Sequence, residues 1–184
     1  MNHNLFRASA VGAALVAFSA VFSVSQSASA AQTCTTIENS RIQSMPGGIP
    51  EAQLYVPTCV EALPDHKVRG RASLNWNFIN DGQSDFTSKR FASFKLTVRL
   101  ESRALGGTGV VVTSKTCDVT NSINTAPTGD LTCLTPSAVR DPKKQWSGSA
   151  TAVYDIDGDS KGPITWQLTA SPLLGQDLSG RSVK

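Results

Sequence analysis

Between Arg71 and Glu101 the chain alternates apolar and polar residues twice, with a polar stretch between the two runs. Ala72, Leu74, Trp76 and Phe78 fall on one side of the first run, with Arg71, Ser73, Asn75 and Asn77 on the other. In the second run Phe94, Leu96, Val98 and Leu100 alternate with Lys95, Thr97, Arg99 and Glu101. A period of two held over seven or eight residues describes a strand with one dry and one wet face, and excludes a helix, whose apolar residues would recur at 3.6. The two strands, Lys67–Ile79 and Phe91–Glu101, read as a hairpin joined by Asn80-Asp81-Gly82-Gln83-Ser84-Asp85-Phe86-Thr87-Ser88-Lys89-Arg90, where Asn-Asp-Gly is turn chemistry.

Alternation resumes downstream. Trp146, Gly148, Ala150, Ala152 and Tyr154 share one face of a strand that turns at Asp157-Gly158-Asp159 and returns through Ile164, Trp166, Leu168 and Ala170, a second hairpin. Val110-Val111-Val112-Thr113 is β-branched and too short for a helix, and is expected to be a strand buried on both faces. Leu54-Tyr55-Val56 reads as a short edge strand because Pro57 cannot donate to a ladder. Thr35–Met45 carries a thin helical stripe in Ile37 and Ile42, and Asp118 is placed to cap one helical turn with Val119 and Ile123 on its inner side. The expected fold is all-β, a single-domain sandwich of six to seven strands with an immunoglobulin-like or similar layout; a closed barrel is the alternative.

The first thirty residues are of another kind. Arg7 precedes a small, apolar run from Ala8 to Val24 and then Ala28-Ser29-Ala30, the pattern of a general secretory signal with cleavage near Ala30. A membrane anchor would need a longer apolar run with charged flanks. The remainder divides into an irregular, disulfide-stapled segment over 31–64, a sandwich core over 65–172 and a flexible tail over 173–184. The signal takes one of the 17 basic residues and none of the 14 acidic ones, so the mature chain is nearly balanced in charge. Such a balance gives no electrostatic reason to expect nucleic acid or an anionic membrane as partner. Four cysteines in an exported chain imply two disulfides, and closure of the shorter loops favours Cys34 with Cys59 and Cys117 with Cys133.

Chemistry is hard to place on these residues. His66 is the one histidine beyond the signal, and there is no Gly-x-Ser-x-Gly elbow to present a nucleophile. Glu38, Glu51, Glu61 and Glu101 form no pair that sequence can identify as a glycosidase acid and base. Asp155, Asp157 and Asp159 have the alternate spacing with which a turning loop can converge on calcium, but Ser160 and Trp166 stand where an EF-hand needs glycine and glutamate. Neither a cofactor nor a metal is expected. Trp76, Trp146 and Trp166 are in phase with apolar faces, which favours core packing; Trp146, after Lys143-Lys144-Gln145, is the best of the three for a carbohydrate platform.

A signal sequence followed by a small disulfide-stapled β domain, with Ser114-Lys115-Thr116-Cys117 and Thr132-Cys133 closing a polar loop, resembles the small secreted proteins of actinobacteria. Among them it is similar in layout to the adaptor subunit of umbrella-shaped antibacterial toxin particles, and departs from it in placing Cys34 four residues after the cleavage point. The resemblance implies an assembly role and carries over no functional residue. The expectation is a secreted, non-enzymatic module that binds an extracellular protein. The binding loop would include Asn80, Asp81, Gln83, Asp85, Lys89 and Arg90, and an outer face would present Arg71, Asn75, Asn77, Lys95 and Arg99. A loop from Asp118 to Thr132 is a second place for recognition. Two alternatives remain open, a protease inhibitor that extends Asn124–Thr132 into a cleft and a carbohydrate-binding or glycan-acting protein.

Overall fold

The computed structural model describes residues 31–35, 38–79 and 89–175. Residues 1–30, where a signal sequence is expected, residues 36–37 and 80–88, and the chain after Gly175 lie outside these residues. Within them the chain is nearly all β: β1 (Gln32–Cys34), β2 (Ser40–Gln43), β3 (Ala52–Tyr55), β4 (Thr58–Leu63), β5 (Lys67–Phe78), β6 (Phe91–Arg103), β7 (Val110–Asp118), β8 (Thr128–Leu134), β9 (Ala138–Val139), β10 (Gln145–Ile156) and β11 (Ile164–Gln167). One six-residue helix, α1 (Thr120–Thr125), follows β7.

The strands form two antiparallel sheets packed face to face. In the seven-stranded sheet β5 is the spine: β4 and then β3 pair along one flank, β8 and β9 along the other, and β1 and β2 lie outside β4 and β3. The four-stranded sheet runs β11-β10-β6-β7. The apolar faces of β5, β6 and β10 meet in one core that includes Leu74, Trp76, Phe94, Leu96, Ala152 and Tyr154. Tyr154 stacks on Phe94 with ring centres 5.1 Å apart. Its hydroxyl accepts from Arg41 at 2.8 Å and donates to Gln43 at 2.8 Å, so this large buried ring keeps its polar end satisfied.

β5 and β6 do not pair, contrary to the hairpin expected from their alternation. They belong to opposite sheets and touch through their apolar sides. Alternation determines which side of a strand faces the core, and a strand meets that condition equally well beside its neighbour or across the core from it. The second expected hairpin, β10 with β11, is present in the register Thr151 to Gln167 through Tyr154 to Ile164.

The 31–64 segment is not an irregular appendage, since it supplies four strands to the larger sheet. Ser40–Gln43 is a strand and not part of a helix. Leu54 lies in β3 between β5 and β2, and Pro57 falls in the break between β3 and β4, where its missing donor is harmless while its carbonyl accepts from Ser73 N–H at 3.2 Å. Both disulfides have the expected pairing. Cys34–Cys59 joins neighbouring strands of one sheet, whereas Cys117–Cys133 ties β7 of one sheet to β8 of the other.

Candidate interaction surface

The residues expected to form a binding loop and face are dispersed. Asn80, Asp81, Gln83 and Asp85 lie outside the described residues. Lys89 is exposed and pairs with Asp157 at 3.3 Å. Arg90 is 1% exposed, which removes it from any accessible loop. Its guanidinium lies over the Phe78 ring, 4.2 Å from the centre, and its backbone N–H donates to the Asn124 side chain at 2.8 Å, so the chain has already turned inward at Arg90.

Nor do the outer-face residues share a surface. Arg71, Asn75 and Asn77 lie on the larger sheet and Lys95 and Arg99 on the smaller one, whose outer faces point in opposite directions. Arg71 is engaged with Glu61 at 3.3 Å, beside the Arg69–Glu61 pair at 2.7 Å. Arg99 donates to Thr151 at 2.9 Å. These cations are occupied within their own sheets.

Asp155, Asp157 and Asp159 do not converge, and no group of three potential metal ligands occurs among the described residues. Asp155 is still in β10, Asp157 is paired with Lys89, and Asp159 caps the turn by accepting Lys161 N–H at 2.9 Å. All three tryptophans are buried. The Trp146 indole N–H donates to the Asp141 carbonyl at 3.2 Å, so Trp146 packs in the core as expected and offers no exposed ring for the alternative of a sugar platform. The Asn124–Thr132 segment is not a free loop either: its first residues close α1, and Thr128–Thr132 pairs with Ser73–Asn77 of β5. A cleft of about 390 Å³ beside Met45, Ile156 and Ile164 has Asp159 and Lys161 among its lining residues. It gathers none of the expected site residues except Asp159.

The surface that does stand out is one the sequence reading placed in the interior. β6 and β7 form a long antiparallel hairpin whose tip is closed by Gly107 N–H donating to the Ala104 carbonyl at 2.9 Å, with Gly106 at φ 73°. On this arm Leu105 is 63% exposed, and Val110, Val111 and Val112 are 64%, 50% and 44% exposed. Runs of exposed apolar residues, as opposed to scattered ones, mark contact surfaces. The opposite sheet covers Leu100 with Val60 and Val68 but does not reach the arm's end, which is why β-branched residues suited to a core stand in solvent here.

β7 is also an outer strand of its sheet, and among the described residues Val110–Asp118 makes no backbone–backbone hydrogen bond beyond its pairing with β6. The pairing shifts between Leu100 and Glu101, which face Thr113 and Val111, so Val112 is an extra residue and the strand bulges there. Past the bulge the strand is held firmly by the Cys117–Cys133 bond and by a 2.9 Å hydrogen bond between the Thr97 and Thr116 hydroxyls. Asp118 then accepts Thr120 N–H at 3.0 Å, but it stands one residue ahead of the N-cap of α1, which is Val119 and makes no side-chain cap, so the helical turn expected behind Asp118 is present without Asp118 as its cap. Hydrogen bonds from Thr120, with a smaller contribution from the charge of Lys95, hold the Asp118 carboxyl below its ordinary pKa. Comparison with protein-family models, curated proteins and solved structures returns no match. The case for this surface therefore rests on its own geometry. No helix among the described residues is long and apolar enough to cross a membrane.

Proposed function

We propose that this chain is a secreted, non-enzymatic module that works by binding another extracellular protein, as a subunit of an assembly. The observation that carries this reading is the β6–β7 arm, an apolar, exposed strand held rigidly at its base by an inter-sheet disulfide. Large exposed apolar side chains cost solubility and are kept where a partner covers them. Two disulfides favour an oxidising compartment, which supports export. The resemblance in layout to actinobacterial toxin-particle adaptors supports an assembly role, and the arm supplies a place for it.

The experiment is affinity capture with the mature chain, Ala31–Lys184, from the producing organism's own secretions, followed by size-exclusion chromatography of the eluate. A stoichiometric co-eluting protein is expected. A chain that runs as a free monomer in native secretions, with nothing captured in proportion, would refute the assembly role.

A further inference from the structure

We infer that β7 accepts an extended segment of the partner as a fifth strand of the smaller sheet, and that this segment is β-branched opposite Val110–Val112 and acidic beside Lys115. The inference rests on the protein-binding reading and adds how the partner is held and what chemistry it presents. Strand addition needs an edge whose outward N–H and C=O groups are free, together with side chains that can be covered on alternate positions. β7 meets both conditions, being last in the order β11-β10-β6-β7 and bearing three consecutive exposed valines.

Charge narrows the occupant. Lys115 pairs in register with Val98, a core residue, so it occupies an inward-phased position at the rim of the sandwich while remaining exposed. Among the described residues it enters no ion pair. An inward-phased lysine and a bulge are devices that discourage indiscriminate edge pairing. Both leave room for a segment that carries a carboxylate opposite the ammonium and follows the bend of the strand at Val112.

The same lysine argues against a second copy as the occupant. A two-fold symmetric contact would set β7 antiparallel to itself. With its centre anywhere from Val112 to Lys115, Lys115 would face glycine, valine, threonine, serine or the other Lys115, and never an acid. Placing Lys115 opposite Asp118 requires a centre between Thr116 and Cys117, where the strand is tied to Cys133 of the other sheet.

The test is selection of random seven-residue peptides on the folded, oxidised mature chain, with amide hydrogen exchange on the peptides recovered. Enrichment of Val, Ile or Thr together with Asp or Glu is expected, with slowed exchange in β7. Val111→Lys should abolish the selection, and Lys115→Glu should weaken the acidic peptides roughly fivefold and select basic ones instead, as expected for opposite against like charges across a strand pair. Both positions are exposed, so neither variant threatens the fold. Failure to enrich any peptide at β7, selection that is indifferent to Lys115→Glu, or a concentration-dependent dimer that Val111→Lys dissolves would each overturn the inference. Capture of a secreted partner equally by wild type and Val111→Lys would overturn it while leaving the protein-binding reading intact. The expected peptide results without any secreted partner would do the reverse.

Discussion

Replacement of Gly148 by alanine tests the arrangement of the two sheets at a point of close backbone approach. Gly148 stands on the core side of β10 with Trp146, Ala150 and Ala152, and a β-carbon there would lie 2.7 Å from the carbonyl carbon of Cys59 on β4, and closer still to its oxygen. Both partners are backbone, so no rotamer change relieves the contact, and β4 and β10 must part by roughly 1.5 Å before it becomes ordinary van der Waals packing. That gap falls beside the small cluster of Val60, Val68, Leu100 and Trp146, whose cross-sheet contacts weaken with it. Overpacking of this kind costs about 3 kcal/mol, the upper end of the usual range because backbone must move. The lower chain entropy of unfolded alanine offsets about 0.5–1 kcal/mol. The net loss of about 2 kcal/mol corresponds to a fall in Tm of roughly 4–8 °C for a domain of this size. Thermal unfolding followed by circular dichroism on the oxidised chain from Ala31 to Lys184 measures it, with Ser147→Ala on the opposite side of β10 as the control. If Gly148→Ala melts within about 1 °C of wild type, β4 and β10 do not approach as described and the packing argument fails.

Asp65 and His66 both have left-handed backbone, at φ 58° and 54°, in the turn between β4 and β5. Replacing the pair by Asn-Gly should stabilise the chain by about 1 kcal/mol, read as a rise in denaturation midpoint, because these residues fit such a turn with less strain. Removing the inter-sheet disulfide with Cys117→Ala and Cys133→Ala should cost about 3 kcal/mol. It should also speed amide exchange in β7 more than the corresponding change at Cys34 and Cys59 does. The lowered pKa of Asp118 means that its contribution is present above the unfolded value near 3.8 and disappears as pH falls through the lower folded value. Asp118→Ala should therefore melt slightly below wild type at neutral pH, with the gap closing in acid; a gap that widens in acid would contradict the sign.

Strand faces were legible wherever alternation was sustained. Ala72, Leu74, Trp76 and Phe78, and Phe94, Leu96, Val98 and Leu100, are inward as their period demands, and each tryptophan is buried for the same reason. Strand neighbours were not legible, because period two carries no information about which sheet a strand joins, and β5 and β6 could satisfy it across the core. Strands as short as β1, β2 and β9 contain too few residues to show a period at all. They form because β3, β4 and β5 offer them edges to pair with.

The valine run shows why the surface was missed. Composition reported a strand correctly, since Val110–Val112 does lie in β7, and a β-branched run is most often buried on both faces. Burial depends on what lies opposite, and the larger sheet does not extend over the arm. The clue in the sequence was proximity: Leu105-Gly106-Gly107-Thr108-Gly109 places the valines at the end of a hairpin, where cover from another strand is least assured. A residue expected outside, Arg90, is inside over Phe78, and residues expected inside are outside on β7. The exposed apolar residues are the more informative of the two reversals. A buried arginine is explained by its own surroundings, whereas exposed valines on an edge strand call for a partner that those surroundings do not supply.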